Sequence, residues 1–351
     1  MRCKPLYSII CLLLVAFLFS CSKNAVEFDE QLSNTRALLS IDLTQNAGEE
    51  QVAIKTVRFV IFGNASSSIP YLDVNEFHEE ATPLETTDIK AVIEVKGNSD
   101  IMAIVIVNEP AGLKSDLDNI GSLSDLKNIE FTIAQLLNNS KEEIALMPMT
   151  GIKQGIYVKP GEAVNPVSMT VERAVSRVDV YLQVTDGGAQ TGYINGSTTV
   201  TMHNLSHESV LVNGFGNMKA NALLLDKTWT AGSSDTWIYS SAADAKNRRL
   251  LCSFYTSERA FTDSNKPTIS MTNIRKGAQP TDVIGVTRQE LGQITPTGGG
   301  QSQDFEGFQR NNVYQITAKV GKLGIQIVRV SVEPWGCLLY TSPSPRDKRQ
   351  S

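Results

Sequence analysis

Cysteine and histidine are scarce in this chain, and the signatures of small-molecule chemistry are missing. Five cysteines and three histidines are spread over 351 residues. Cys3 and Cys11 fall in the amino-terminal apolar segment, Cys21 follows it, and Cys252 sits alone in an apolar run. A disulfide framework needs an even set of cysteines at framework spacing, so that class is excluded and Cys252 is expected to be a buried small hydrophobe. There is no Gly-x-Ser-x-Gly elbow and no phosphate loop. Asn213-Gly214-Phe215-Gly216 lacks the third glycine of a dinucleotide fingerprint and reads as a hairpin turn. Basic excess is lacking too: a formal net charge of −5 gives no footprint for nucleic acid. These gaps leave no basis for a cofactor, and they predict a protein that is not an enzyme.

The residues that could carry chemistry do not converge. His203 and His207 are four apart, but Thr198–Thr201 and Val210–Val212 on either side read as strand. On a strand their rings stand roughly 13 Å apart, too far to share one metal ion, and both are expected at the surface. The acid pairs Glu49-Glu50, Glu79-Glu80 and Glu142-Glu143 are adjacent in polar surroundings and read as solvated. Trp229 and Trp237, with Tyr239, flank the polar loop Thr230–Asp235. Exposed aromatics there could stack on sugar rings; core or loop-anchoring tryptophans are the commoner use.

What is present begins with an address. Arg2 and Lys4 precede the apolar run Ile9–Phe19, shorter than the ~20 residues that span a bilayer. Residues 1–20 therefore read as a secretory signal. The run ends in Leu18-Phe19-Ser20-Cys21, similar to a bacterial lipobox, although Phe19 is bulkier than usual there. Cys21 is the expected lipidation site, and two acyl chains hold a protein at a membrane surface where one is marginal. A polar tether, residues 21–36, ends at Arg36-Ala37. At the other end, residues 337–351 look like the translation of a sequencing adaptor and are expected to be no part of the native protein.

Between these ends the pattern is β. Arg177–Thr185 alternates polar and apolar without a break, and Tyr314, Ile316, Ala318 and Val320 alternate with Gln315, Thr317 and Lys319. Both read as half-buried strands. Ile101–Val107 is apolar throughout and reads as a central strand. The apolar phase slips between Ile327 and Val328, which a β-bulge or burial on both faces would produce. One helix is expected, capped by Ser122 or Ser124, with Leu126, Ile129, Ile133 and Leu136 at helical spacing. Frequent turn clusters between short strands suggest β-sandwiches. A boundary near Lys159-Pro160-Gly161 divides the chain into residues 37–165 and 166–336; no internal repeat is visible.

Four stretches, Val171–Leu182, Leu251–Phe261, Phe308–Val320 and Arg329–Trp335, together resemble the fimbrillins of Bacteroidales, the subunits of type V pili. The resemblance runs over most of the mature chain and is strongest in its second half. It implies an all-β chain with minor α, two transthyretin-like β-sandwich domains in tandem. It also implies a lipoprotein precursor, anchored in the outer membrane during transit, that an arginine-specific protease cuts. Arg36-Ala37 is the matching position, with Arg248, Arg249 and Arg259 expected to be shielded by folding. Other fimbrial subunits become the partners, joined head to tail as a strand from one completes the sandwich of the next in a surface fimbrium that supports adhesion. Two alternatives stay open: a surface lipoprotein that binds glycans and keeps its anchor, and an anchor or accessory fimbrial subunit.

Overall fold

The computed structural model describes residues 36–335, except 46–52, 85–87, 98, 138–143, 145, 161–163, 185–192, 195, 216–218, 220–221, 233–236, 239–247, 276–280, 282, 297–300 and 322–323. The signal segment, Cys21, Tyr239 and the tail from residue 336 lie outside the described residues, as do the side chains of Arg36 and Trp237.

The first sandwich is built from seven strands. β1 (Arg36–Gln45), β2 (Ile54–Gly63), β3 (Tyr71–Leu84), β4 (Asp88–Lys96) and β5 (Ser99–Val107) come first. Two short helices follow, α1 (Lys114–Asp118) and α2 (Leu123–Lys127), then β6 (Glu130–Thr132), set apart from this sheet, a 3-10 turn at Ile133–Gln135, β7 (Met149–Val158) and β8 (Asn165–Arg173). The order β3-β2-β5-β7-β8-β1-β4 folds over on itself, because β7 and β8 pair only through Met149↔Arg173 and Thr150↔Glu172. Two layers result, β3-β2-β5-β7 and β8-β1-β4. Alternate residues Leu39, Ile41 and Leu43 of β1 and Val167, Met169 and Val171 of β8 face Phe59, Ile61, Ala103 and Val105 across one core. β8 pairs with β1 and β7, so it belongs with the first sandwich and the change of sheet comes at Ala174 and Val175. Lys159 and Pro160 directly follow β7, and the next strand, β8, still pairs within the first sandwich.

The second sandwich uses β9 (Ser176–Val184), β10 (Tyr193–Ile194), β11 (Thr199–Ser206), β12 (Glu208–Val210), β13 (Leu224–Thr230), β14 (Trp237–Ile238), β15 (Arg248–Thr256) and β16 (Arg259–Ala260). It continues with β17 (Thr268–Arg275), β18 (Val283–Glu290), β19 (Gln293–Pro296), β20 (Gln303–Asp304), β21 (Gly307–Phe308), β22 (Asn312–Gly321) and β23 (Gly324–Pro334). One sheet runs β13-β11-β17-β10-β14 with β18 beside β17; the other runs β15-β9-β22-β23-β19-β20. Val178, Val180, Leu182, Met202, Ile269, Met271, Phe254 and Ile316 fill the space between. Cys252 is buried and forms no disulfide among the described residues, as a small hydrophobe should. Thr317 faces Arg329 and Ala318 faces Ile327, which leaves Val328 as the extra residue of a bulge where the apolar phase slips.

Two expectations fail here. Gln315 and Thr317 are buried although they alternate with the core residues of β22. This strand is central, paired with β9 and β23, and Gln315 is satisfied by an amide hydrogen bond to Glu333. The expected single helix is broken as well. Ser122 and Asp125 form a reciprocal capping box that starts α2, but Asn128 closes it, and the chain continues as β6. Leu126, Ile129, Ile133 and Leu136 are all buried, so their spacing records burial rather than one continuous helix.

The two sandwiches are joined by more than a linker. β6 pairs with β12 through Thr132↔Glu208, Phe131↔Ser209 and Glu130↔Val210, with added backbone bonds from Ile133 N–H to the His207 carbonyl and from Leu211 N–H to that of Ile129. A third apolar cluster lies beneath. It takes Val60, Phe62, Ile104 and Ile106 from the outer face of β2 and β5, Leu117, Leu126 and Phe131 from the segment after β5, and Leu211, Val313 and Trp335 from the second half. Trp335 is held by Arg173 and Arg177, whose guanidinium carbons lie 4.8 and 4.9 Å from its ring centroid, and stacks on Tyr255.

His207 sits at this seam. It is 9% exposed, and burial, helped by the charge of Lys227 and opposed by Glu208, lowers its pKa. A depressed folded value means that the unfolded chain takes up the proton first. Stability is therefore complete above the ordinary histidine range of about 6.5 and falls as the pH drops below it. Urea midpoints of the native chain should decline as the pH falls below about 6.5, and His207→Gln should flatten that decline. An unchanged slope in the variant would remove His207 as its cause.

Candidate functional site

The feature of the first sandwich that can engage something else is its open side. β3 and β4 are the two ends of the strand order, each paired on one side only among the described strands. Because the layers face each other, these edges lie across from one another with a groove between them. Ile54, Val57 and Phe59 of β2 form one wall, Ile89, Ala91 and Ile93 of β4 the other, and His78, Glu80, Leu84 and Lys90 contribute to the rim. The cavity is about 270 Å³. The His78 ring meets Phe59 edge to face, with centroids 5.8 Å apart. Val92, on the solvent side of β4, is 61% exposed.

The backbone of β4 fixes what the groove can accept. Its register with β1 is unbroken from Arg36↔Lys96 to Thr44↔Asp88. The Lys96 N–H donates to the Asp73 carboxylate at 2.7 Å, away from β1. In an antiparallel pair such outward groups recur at every second residue. Asp88, Lys90, Val92, Glu94 and Lys96 therefore share the outward edge, while Ile89, Ala91, Ile93 and Val95 point their side chains inward. An apolar groove beside such an edge is shaped for an added β-strand. β2 and β4 come together here from distant stretches of sequence, which is why no local motif announces the groove.

The structure also places each residue singled out from sequence. Arg36 opens β1, and Ala37 is already buried at 3% exposure. Residues 36–38 pair with β4 alone, since pairing with β8 starts at Leu39↔Asn165. Arg259 is buried, as expected, but Arg249 is exposed on β15, an edge strand, so that part of the expected shielding is corrected. Trp229 is half-buried and packs against the second core, as an anchoring tryptophan does. Trp237 lies in β14, and no aromatic platform can be assembled from the described side chains.

The histidines differ most from expectation. His203 and His207 are 8% and 9% exposed, not surface residues. His203 Nδ1 is 2.7 Å from Asp226 Oδ2 and its Nε2 is 2.8 Å from Ser270 Oγ. This is the hydrogen-bond order of a nucleophilic triad, assembled from three neighbouring strands and invisible to a motif search. Its surroundings argue otherwise. Ser270 Oγ also accepts the Arg288 N–H at 2.9 Å, so the donor facing it is already engaged rather than aimed at a developing oxyanion. Ser270 lies inside β17, between β11 and β18. The array ties β11, β13 and β17 together, and hydrogen bonding to His203 lowers the pKa of Asp226. Among the described residues no group of three or more His, Cys, Asp or Glu could hold a metal ion.

No protein-family model matches this sequence, and no curated protein does. Solved structures do. A protein ascribed to cell adhesion from Parabacteroides distasonis superposes with a TM-score of 0.57 at 12% identity, over 87% of this chain and 99% of that one. The fimbrilin FimA of Porphyromonas gingivalis gives 0.56 at 13% identity, over 85% and 97%. The tip fimbrial protein Mfa3 of the same species, with its C-terminus truncated, gives 0.52 at 13%, over 86% and 100%. At these identities it is the architecture that is shared: this chain has the fold of the fimbrillin and cell-adhesion structures of the Bacteroidales.

Proposed function

We propose that this chain is a structural, non-enzymatic subunit of a cell-surface fimbrium, and that it accepts a β-strand of a neighbouring subunit along β4. The observation that carries the reading is the apolar groove beside the unshared edge of β4, in a fold common to fimbrial proteins. The incoming strand gains backbone hydrogen bonds from the outward positions of β4, each worth about 0.5–1.5 kcal/mol net. Its inward side chains must be apolar, to meet Phe59, Val57 and Ile93, and its outward ones polar, beside His78, Glu80 and Lys90. Such contacts are heterologous, so copies add as an open filament rather than a closed ring.

Export as a lipoprotein through Cys21 and cleavage after Arg36 belong to the same reading. The bond Arg36–Ala37 stands at the end of β1 where only β4 pairs with it. A protease needs an extended, accessible segment, so the first residues of β1 must peel from β4 before cutting. The mature surface form should begin at Ala37, and Arg36→Gln should leave a lipidated Cys21 on a subunit that stays out of fibres. Mass spectrometry of the surface protein decides it: a lipidated Cys21 on the assembled wild-type subunit would point instead to an anchored component.

A further inference from the structure

The groove along β4 has a closure of its own at one end. Lys96, the last residue of β4, donates its backbone N–H to Asp73 at 2.7 Å. Its ammonium lies 5.1 Å from the centroid of the Tyr71 ring. Both partners are on β3, in the opposite layer, so the contacts reach across the open side of the sandwich. β3 is shaped for the task. The register with β2 slips so that Ile61 faces Val74 and Phe62 faces Leu72, leaving Asp73 as the bulged residue. A bulge re-aims the side chain it carries, and here that side chain takes the outermost N–H of β4. Tyr71, opposite Gly63, lies so close over it that a Cβ there would collide with the ring. The glycine is the seat that lets the ring lie flat toward Lys96.

We propose that Asp73, Tyr71 and Lys96 form a latch that holds the β4 edge closed until a neighbour's strand displaces it, a brake on assembly. This rests on the reading of β4 as the accepting edge. A side-chain carboxylate on an edge N–H does what edge strands need in the absence of a partner: it occupies a group that would otherwise template pairing with any exposed strand. It must be given up when a strand pairs through to Lys96. The latch lies one strand from the bond Arg36–Ala37, since Arg36 and Lys96 are register partners. Peeling back residues 36–38 therefore removes the support on the other side of Lys96. Cutting the leader and loosening the latch are mechanically linked.

Asp73→Ala and Tyr71→Leu test it independently, expressed from the gene's own locus and followed after addition of an arginine-specific protease. Two readouts are taken, amide hydrogen exchange at Lys96 in the uncut subunit and the rate of fibre growth by light scattering. Asp73→Ala should speed exchange at Lys96 and raise the growth rate severalfold, with Tyr71→Leu giving a smaller rise. Faster exchange with an unchanged growth rate would overturn the latch while leaving β4 as the accepting edge. Growth that proceeds without any protection of β4 amides in the fibre would overturn the accepting edge itself, and the latch with it.

Discussion

Val92→Pro is expected to yield a folded subunit that does not enter fibres. The N–H of Val92 shares the outward parity of Lys96, whose N–H points away from β1. Proline there removes no bond to β1, and its side-chain position is the solvent side, where Val92 is exposed. Edge strands tolerate proline when the lost N–H faces outward. An incoming strand, however, loses a bond at the middle of its interface and meets the ring where a hydrogen should be. Surface fibres should fall by about tenfold or more, as a loss of at least ~1.4 kcal/mol per junction requires, while circular dichroism and the urea midpoint of the monomer change little. Ala91→Pro is the control, because its N–H points toward β1 and its loss should unfold the sheet. Normal fibres from Val92→Pro would mean that β4 is not where subunits join.

The second large effect is in stability. Arg310 and Glu258 are buried, with side chains 9% and 6% exposed and 2.9 Å between them. Arg310 also donates to the carbonyls of Val210 and Leu211 at 3.1 and 3.3 Å, and Glu258 accepts from Asn213. Burial pushes the guanidinium pKa below its ordinary value, and Glu258 partly restores it. Arg310→Met leaves a buried carboxylate and two carbonyls without this donor. Removing one member of such a pair costs about 3–5 kcal/mol, a large fraction of a domain's stability. The double variant Arg310→Met/Glu258→Leu should recover much of that loss, because the pair also carries its own desolvation cost. Chemical unfolding of the three proteins measures it. A single variant that loses less than about 1 kcal/mol would show that solvent reaches this pair.

The strands were legible wherever a single face meets a single core. Val178, Val180 and Leu182 alternate with the less buried Arg177, Tyr181 and Gln183 because they line the second core, and Ile101–Val107 is apolar throughout because β5 serves two cores. The slip at Val328 could be located from side-chain parity alone. Legibility ended where neighbours distant in sequence set the environment. Alternation placed Gln315 and Thr317 in water, yet a central position in the sheet buried them. His203 lost its expected surface place to Asp226 and Ser270, brought alongside by other strands. β6 and β12 are three residues each, too short for a periodicity to declare them. The groove is the extreme case, since its walls become neighbours only when the sheet folds over.

The pairing of β6 with β12 has a mechanical side. The bridge and the shared apolar cluster stake both halves of the molecule to a common foundation. Pulling the ends apart has to shear those bonds together and wet the cluster beneath them, instead of unbending a loose connection. In a string of such molecules, then, each link resists flexing, and the give under flow or tension is concentrated at the joints between them.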